Sequence, residues 1–303
     1  MTSKTSPALK LSRLTKRYDS KHGIYDINLE VARGEVFGFL GPNGAGKSTT
    51  INTILDLLKP QEGTISVLGL DHHADMKKVH ARLGYLSGDM ETDPSLTGKQ
   101  YLSYVANLRG GVDESIIDDL AYRLKSDLSA KIRHLSRGNR QKIGLIAALM
   151  HDPDILILDE PTSGLDPLIQ AEFNAIIREH KERGKTTFIS SHVLSEVQSI
   201  CDRVGFIKEG KLVHVSTLKE LMKSSLRNVT VHFATKVPRE KIAKLKGVSN
   251  LRHEDGMLAF AFGGNMNELL QALAAHPIDN LQIAEPDLED LFMNYYRSEE
   301  RDV

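Results

Sequence analysis

Nine consecutive residues, Gly41, Pro42, Asn43, Gly44, Ala45, Gly46, Lys47, Ser48 and Thr49, meet four chemical demands at once. Glycines at 41, 44 and 46 permit positive φ, so successive backbone N–H groups can point into one concavity and cradle a polyphosphate. Lys47 supplies a point charge for the terminal phosphates, and Ser48 offers a hydroxyl to Mg²⁺. An apolar run, residues 36–40, enters the stretch; a helix-like run, residues 51–58, leaves it and presents a positive dipole end to the anion. The plainer reading is a glycine turn between a strand and a helix. Yet Gly, four residues, Gly, Lys, Ser or Thr arises by accident in roughly one chain in a hundred of this size, and these flanks make chance rarer still. The stretch therefore reads as a phosphate-binding loop.

A second chemical cluster follows the wholly apolar run Ile155, Leu156, Ile157, Leu158, which releases Asp159 and Glu160. A strand buried on both faces that ends in two carboxylates delivers them to the crevice where parallel sheets bind ligands. There Asp159 can hold Mg²⁺ through water, and Glu160 can orient or deprotonate a water aimed at a γ-phosphate. Another buried run, residues 186–189, ends in Ser190, Ser191 and His192. A solitary histidine is usually structural, but one released at this edge is a candidate γ-phosphate ligand. Ser136 and Gly138 open an apolar helix, as a helix cap or as a second anion site. Tyr18 is either a surface strand aromatic or a ring that stacks on adenine. His72 and His73, beside Asp71 and Asp75 with no cysteine near, read as solvated loop rather than as metal ligands.

These groups need a scaffold. Residues 8–17 and 24–31 alternate as two strands of an antiparallel layer, and residues 64–68 add a further strand. Residues 83–86 form a strand that runs into the small polar loop Ser87, Gly88, Asp89. From residue 95 to 150 the pattern is helical: Tyr101, Leu102, Tyr104, Val105 and Leu108 recur on one face, as do Ile116, Ile117, Leu120, Leu124 and Leu128. Most of that stripe is core, although an aromatic end at Tyr101 and Tyr104 could receive a partner's helix. A helix over 169–181 follows, then a hairpin of strands 204–207 and 211–215 around Glu209 and Gly210. Residues 223–228 read as a boundary. Beyond it the order β-α-β-β-α-β suggests a small ferredoxin-like domain, with a last helix over 288–297.

A chain of 303 residues with 40% hydrophobic content can bury one large core and one small one. Lysine plus arginine (39) balances aspartate plus glutamate (40), so a general affinity for nucleic acid is not expected. The single cysteine, Cys201, has no internal disulfide partner and reads as a packed small hydrophobe, which suits a reducing cytosol. The first residues lack the apolar centre of a secretory signal. The longest apolar run, within 143–150, falls far short of the ~20 residues that cross a bilayer, so work at a membrane would need another chain.

The phosphate loop, Leu135-Ser136-Arg137-Gly138-Asn139, the strand ending in Asp159-Glu160, Ser163-Gly164-Leu165-Asp166 and His192 occur in a telling order. That order and its rough spacing resemble the ATP-binding subunit of an ABC transporter, over about residues 9–221. The C-terminal part, ending in residues 285–296, resembles the extension on many type-2 multidrug and antibiotic exporter subunits. The resemblance implies an α/β fold: a P-loop NTPase core with an antiparallel β layer and a helical subdomain (about residues 90–150). Residues 1–222 would be the ATP-binding domain, and residues 228–303 a small α+β ferredoxin-like accessory domain. It implies ATP and Mg²⁺ as cofactors, and hydrolysis that powers export of an unknown substrate through integral membrane permease subunits. The chain would then be cytoplasmic and peripheral on the inner face of the membrane.

In that family two copies close head to tail as a dimer. By resemblance Tyr18 stacks on adenine, Gly41 to Thr49 bind phosphates, Ser48 and Asp159 serve the ion, and Glu160 serves the attacking water. His192 senses the γ-phosphate, Asp166 links the two sites, and Ser136 and Gly138 of the second copy cover the nucleotide. Three positions depart from the pattern. Gly88 stands where a glutamine is common, which leaves Asp89 as the substitute metal ligand, and Arg137 and Asn139 stand where Gly and Gln are typical. A soluble ABC-type ATPase acting on ribosomes or DNA would show tandem copies or a long coiled coil, and the chain has neither pattern. A P-loop kinase would leave Ser136, Gly138 and Asp166 unexplained.

Overall fold

In the computed structural model, which describes residues 6–19, 22–88, 92–224, 226–234, 237–254 and 256–284, the chain divides into two compact units, 1–216 and 217–303. Alternating apolar residues build the first layer. β1 (Leu9–Arg17) pairs antiparallel with β2 (Gly23–Val31), setting Leu9 opposite Val31 and Leu14 opposite Ile27. The continuous apolar run then gives β3 (Val36–Leu40), buried at every residue, and the chain turns into α1 (Lys47–Ile54). β4 (Glu62–Val67) and β5 (Leu70–Asp71) complete a four-stranded sheet in the order β2-β1-β4-β5.

After α2 (Met76–Ala81) and β6 (Leu83–Leu86) comes the helical stretch: α3 (Gly98–Leu108), α4 (Glu114–Arg123), a short 3₁₀ turn (Ile132–His134) and α5 (Arg137–Leu149). A capping box fixes the start of α3, with Gln100 N donating to Thr97 Oγ1 and Thr97 N to Gln100 Oε1. The remaining elements of this unit are β7 (Ile155–Asp159), α6 (Pro167–Glu182), β8 (Thr186–Ser191), α7 (Leu194–Ile200), β9 (Arg203–Lys208) and β10 (Lys211–Thr217). Arg123 at the end of α4 reaches α6, with Nε 2.6 Å from Glu172 and two nitrogens 2.7 Å from the carboxylate of Glu179. That fork holds the helical stretch to the rest of the unit.

The second sheet runs β10-β9-β3-β8-β7-β6, and β3, β6, β7, β8 and β9 are parallel. Parallel strands release their C-terminal ends on one edge, so the phosphate loop, Asp159-Glu160 and Ser190-Ser191-His192 emerge side by side. Leu40 lies opposite Ser191, and Asp159 opposite Ser190. Phe188 stacks on Phe37 at 5.9 Å and meets Phe39 tilted at 5.3 Å, within one apolar core that joins this sheet to β1, β2 and β4. Burying each such ring stabilises the fold by roughly 1.5–3 kcal/mol.

The second unit contains α8 (Leu218–Ser224), β11 (Arg227–Phe233), α9 (Arg239–Ala243), β12 (Val248–Glu254), β13 (Met257–Phe262), α10 (Met266–Ala274) and β14 (Ile278–Ala284). From β11 onward the order is β-α-β-β-α-β, and the sheet order is β12-β13-β11-β14 with antiparallel pairs. Val229, Val231, Leu258 and Phe260 on one face of the sheet pack under Ile242, Leu269 and Leu273 of the helices.

Several local expectations shift. The helix after the phosphate loop covers Lys47–Ile54 instead of 51–58, because it starts inside the loop itself. Leu128 lies beyond α4, and α5 begins at Arg137, directly after Ser136. The division between units falls at Ser216/Thr217, ahead of the expected boundary at 223–228. The expected helix over 288–297 and Asp89 lie outside the described residues. His72 is not solvated: it is 7% exposed, and burial pushes its imidazole below the usual range. Its Nε2 lies 3.8 Å from Asp56, which is also hydrogen-bonded by the exposed His73 at 2.7 Å. No group of three or more metal-ligating side chains occurs among the described residues. Cys201 is buried, and desolvation raises its thiol far above the reactive range.

Candidate nucleotide-binding site

The turn from β3 into α1 builds the floor of the site. Gly44 and Gly46 take left-handed φ of 82° and 108°, and Gly46 caps the helix through its backbone alone. Gly41 is needed for a different reason than the expected positive φ: a Cβ there would meet the Ile207 carbonyl oxygen at 2.5 Å. Close packing of β9 against the loop, rather than backbone twist, requires that glycine. The hairpin turn at Glu209 and Gly210 presses on the same loop, since Gly210 N donates to Ala45 O at 2.9 Å and Tyr25 N to Gly210 O at 2.8 Å.

Two side-chain networks meet on this edge. Lys47, 6% exposed, places Nζ 2.8 Å from Gly41 O, 3.2 Å from Pro42 O and 3.5 Å from Glu160 Oε1. Glu160 Oε1 is also 3.0 Å from His192 Nδ1. In the second network Ser48 Oγ donates to Asp159 Oδ2 at 2.8 Å, while Ser190 Oγ donates to Asp159 Oδ1. Asp159 is 7% exposed, so its charge sits in a poorly hydrated place and depends on these hydroxyls. Glu160 follows with φ 49°, a left-handed conformation that turns the chain out of the strand. Its N–H is held by Ser190, and Gln141 Nε2 of α5 donates to the carbonyls of Glu160 and Pro161 at 3.2 and 3.3 Å.

A cleft of about 820 Å³ opens above, lined by Tyr18, Asn43, Gly44, Gly46, Lys47, Ser48, Thr49 and Glu160. Tyr18 is 56% exposed, a flat ring at the rim. The cleft is also lined by His22, Tyr25, Glu209 and Lys211, which sequence reasoning missed. Only the pairing of β9 with β3 brings the Glu209 hairpin here, and strand order left no local signal beyond the turn itself.

Ser136, Gly138 and Asp166 do not line this cleft. Ser136 caps α5, its Oγ accepting the Asn139 N–H at 3.2 Å, and Asp166 caps α6, accepting the Ile169 N–H at 3.0 Å. Gly138 packs against the turn before α6: a Cβ there would strike the Gly164 carbonyl oxygen at 2.3 Å. Gly88 lies against Asp159, with Oδ2 3.8 Å from the position of a Cβ.

Comparison with known proteins shows what the chain is similar to. The family described as "ABC transporter" matches residues 24–163. The bacitracin transport ATP-binding protein BcrA of Bacillus licheniformis is 33% identical over 298 residues, 95% of this chain and 97% of that protein. The probable multidrug ABC transporter ATP-binding protein YbhF of Escherichia coli is 39% identical over 222 residues, 72% of this chain and 38% of its own length. Among solved structures, an ATP-binding subunit of an ABC transporter superposes with a TM-score of 0.64 at 28% identity, covering 71% of this chain and 92% of its own.

Proposed function

Because the chain belongs to the ATP-binding proteins of ABC transporters, and so binds and hydrolyses ATP, we propose that it powers export of a substrate through separate membrane subunits by closing with a second copy around two nucleotides. One observation supports the reading: the cleft contains Lys47, Ser48 and Glu160, with Asp159 hydrogen-bonded to Ser48, whereas Ser136 and Gly138, the candidate second anion site, sit outside it. A second copy laid head to tail brings its Ser136 and the exposed N-terminus of its α5 over the first copy's phosphates. Each copy then supplies half of each site.

Within one copy the roles follow from position. The loop amides and Lys47 bind the β- and γ-phosphates, for which the ammonium exchanges its present carbonyl partners. Ser48 Oγ and Asp159 are paired oxygen donors, 2.8 Å apart, of the hard type that Mg²⁺ takes. When bound, the ion neutralises charge between the phosphates. Glu160 accepts from the attacking water, and His192, in contact with its carboxylate, fixes that side chain beside the γ-phosphate position. Tyr18 offers its exposed ring to adenine. Asp166, capping α6 next to Gly164, is the residue that faces the second copy and links the sites.

Among the described residues no helix is long and apolar enough to cross a membrane; in this reading the translocation path belongs to a partner. A groove of about 810 Å³ between α2, α3 and α4, lined by Met76, Val105, Leu108, Arg109 and Ile116, suits a helix of that partner. Tyr104 and Leu108, 58% and 69% exposed, extend an apolar face beside it. The relatives' names, a bacitracin transport ATP-binding protein and a probable multidrug ABC transporter ATP-binding protein, support the transport reading, under which the chain works at the inner face of the membrane. Affinity purification of the full chain from solubilised membranes tests this: a multi-span membrane protein should accompany it. Recovery with ribosomes or DNA would refute it.

A further inference from the structure

Gln141 has no part in the roles described so far, yet it is one of the few polar side chains of the core, 3% exposed. It stands on α5, the helix that Ser136 caps. Its amide donates to the carbonyls of Glu160 and Pro161, at 3.2 and 3.3 Å. The Glu160 carbonyl also accepts from Ser163 N at 3.2 Å, and the Glu160 N–H is held by Ser190. The left-handed backbone of Glu160 is thus fixed from one side by β8 and from the other by α5. Nearby, Gly138 leaves no room for a side chain against the Gly164 carbonyl. The start of α5 and the turn 160–164 therefore move together or lose two hydrogen bonds and a close packed contact.

We propose that Gln141 is a positioning residue that couples the two ATP sites. This rests on the head-to-tail reading above, in which Ser136 faces the partner's nucleotide while Glu160 serves its own. Engagement of the partner's phosphates at the start of α5 is passed by the Gln141 amide to the backbone of Glu160, which sets where its carboxylate points. Nucleotide occupancy of one site thereby adjusts the geometry of hydrolysis at the other. Gln141 touches neither nucleotide.

The test uses the full chain and three readouts: ATP affinity under non-hydrolysing conditions, steady-state turnover against ATP concentration, and thermal stability. Gln141→Met keeps length and volume but removes both donors. Native protein should give a Hill coefficient approaching about 2, the number of coupled sites. Gln141→Met should keep ATP affinity within about twofold, lower kcat at least about tenfold, and bring the Hill coefficient to about 1. Gln141→Glu provides a pH profile that a purely structural role lacks. Its protonated carboxyl can donate one hydrogen bond and its carboxylate none, so turnover and cooperativity should fall as pH rises through its titration, while native protein shows no such step.

Native cooperativity and kcat in Gln141→Met overturn the proposal. So does a parallel loss of affinity, turnover and stability in both variants with no pH step in Gln141→Glu, which makes the residue a core strut only. If native protein itself hydrolyses ATP without cooperativity and as a monomer, the head-to-tail reading fails instead.

Discussion

Glu160 is the residue to which we assign the activation of water, and its surroundings support that proposal. It touches both Lys47 and His192, so it lies between the phosphate-binding charge and the imidazole released by the neighbouring strand. Glu160→Gln keeps the shape and removes the carboxylate to which we assign the role of general base. It should lower kcat by about 10²–10⁴-fold while ATP affinity stays within a few-fold, read by steady-state turnover and equilibrium binding. Tyr18→Ala should weaken ATP binding by about 1 kcal/mol, whereas Tyr18→Phe should leave it unchanged, since only the ring face is used. Equal losses in the two Tyr18 variants would remove adenine stacking. Asp159 and Glu160 were legible in the sequence because the run before them is wholly apolar, and such a strand has a defined exit. Glu209 and Lys211 were not, because nothing local says that β9 pairs beside β3.

At the scale of elements, a short amphipathic run hid α2, six residues long, while the long periodic helices and buried strands were plain. The histidine pair was misread for a related reason. Polar neighbours in sequence suggested solvent, but the chain folds His72 inward against Asp56 and leaves only His73 outside.

Two predictions belong to elements. His180, in the last turn of α6, is fully buried, with Nε2 3.0 Å from the Pro153 carbonyl, and burial pushes its imidazole down to about 4. A folded value below the unfolded 6.5 means that the unfolded chain binds the proton more readily. The stability tied to a neutral His180 is therefore complete above pH ~6.5 and lost as pH falls toward about 4. Its size is on the order of 3 kcal/mol. His151, also pushed down to about 4 by burial, acts in the same direction. Urea midpoints between pH 7 and 4.5 should fall, and His180→Gln should flatten that fall; an unchanged slope would show that the ring is not buried neutral. The second prediction is Gly138→Ala, which drives a methyl into the Gly164 carbonyl. It should cost about 1–3 kcal/mol of stability by thermal melting, and it should reduce turnover more than ATP affinity.

At the scale of the molecule, two units with separate cores share one chain. Every residue of the proposed site lies in the first, so residues 1–216 alone should bind ATP with the affinity of the full chain; loss of binding on truncation would contradict that division. A membrane partner entered the sequence reading as an implication of family and through the aromatic end at Tyr101 and Tyr104, of which Tyr104 is exposed.

The account stands on the sandwich of two copies around ATP. Its most direct test is light scattering of Glu160→Gln with and without ATP, in which hydrolysis cannot reopen the pair. The mass should double when ATP is added, and Glu160→Gln combined with Ser136→Glu should remain single while still binding ATP. A Glu160→Gln chain that stays monomeric at saturating ATP, or native protein that hydrolyses at full rate as a monomer, would contradict it.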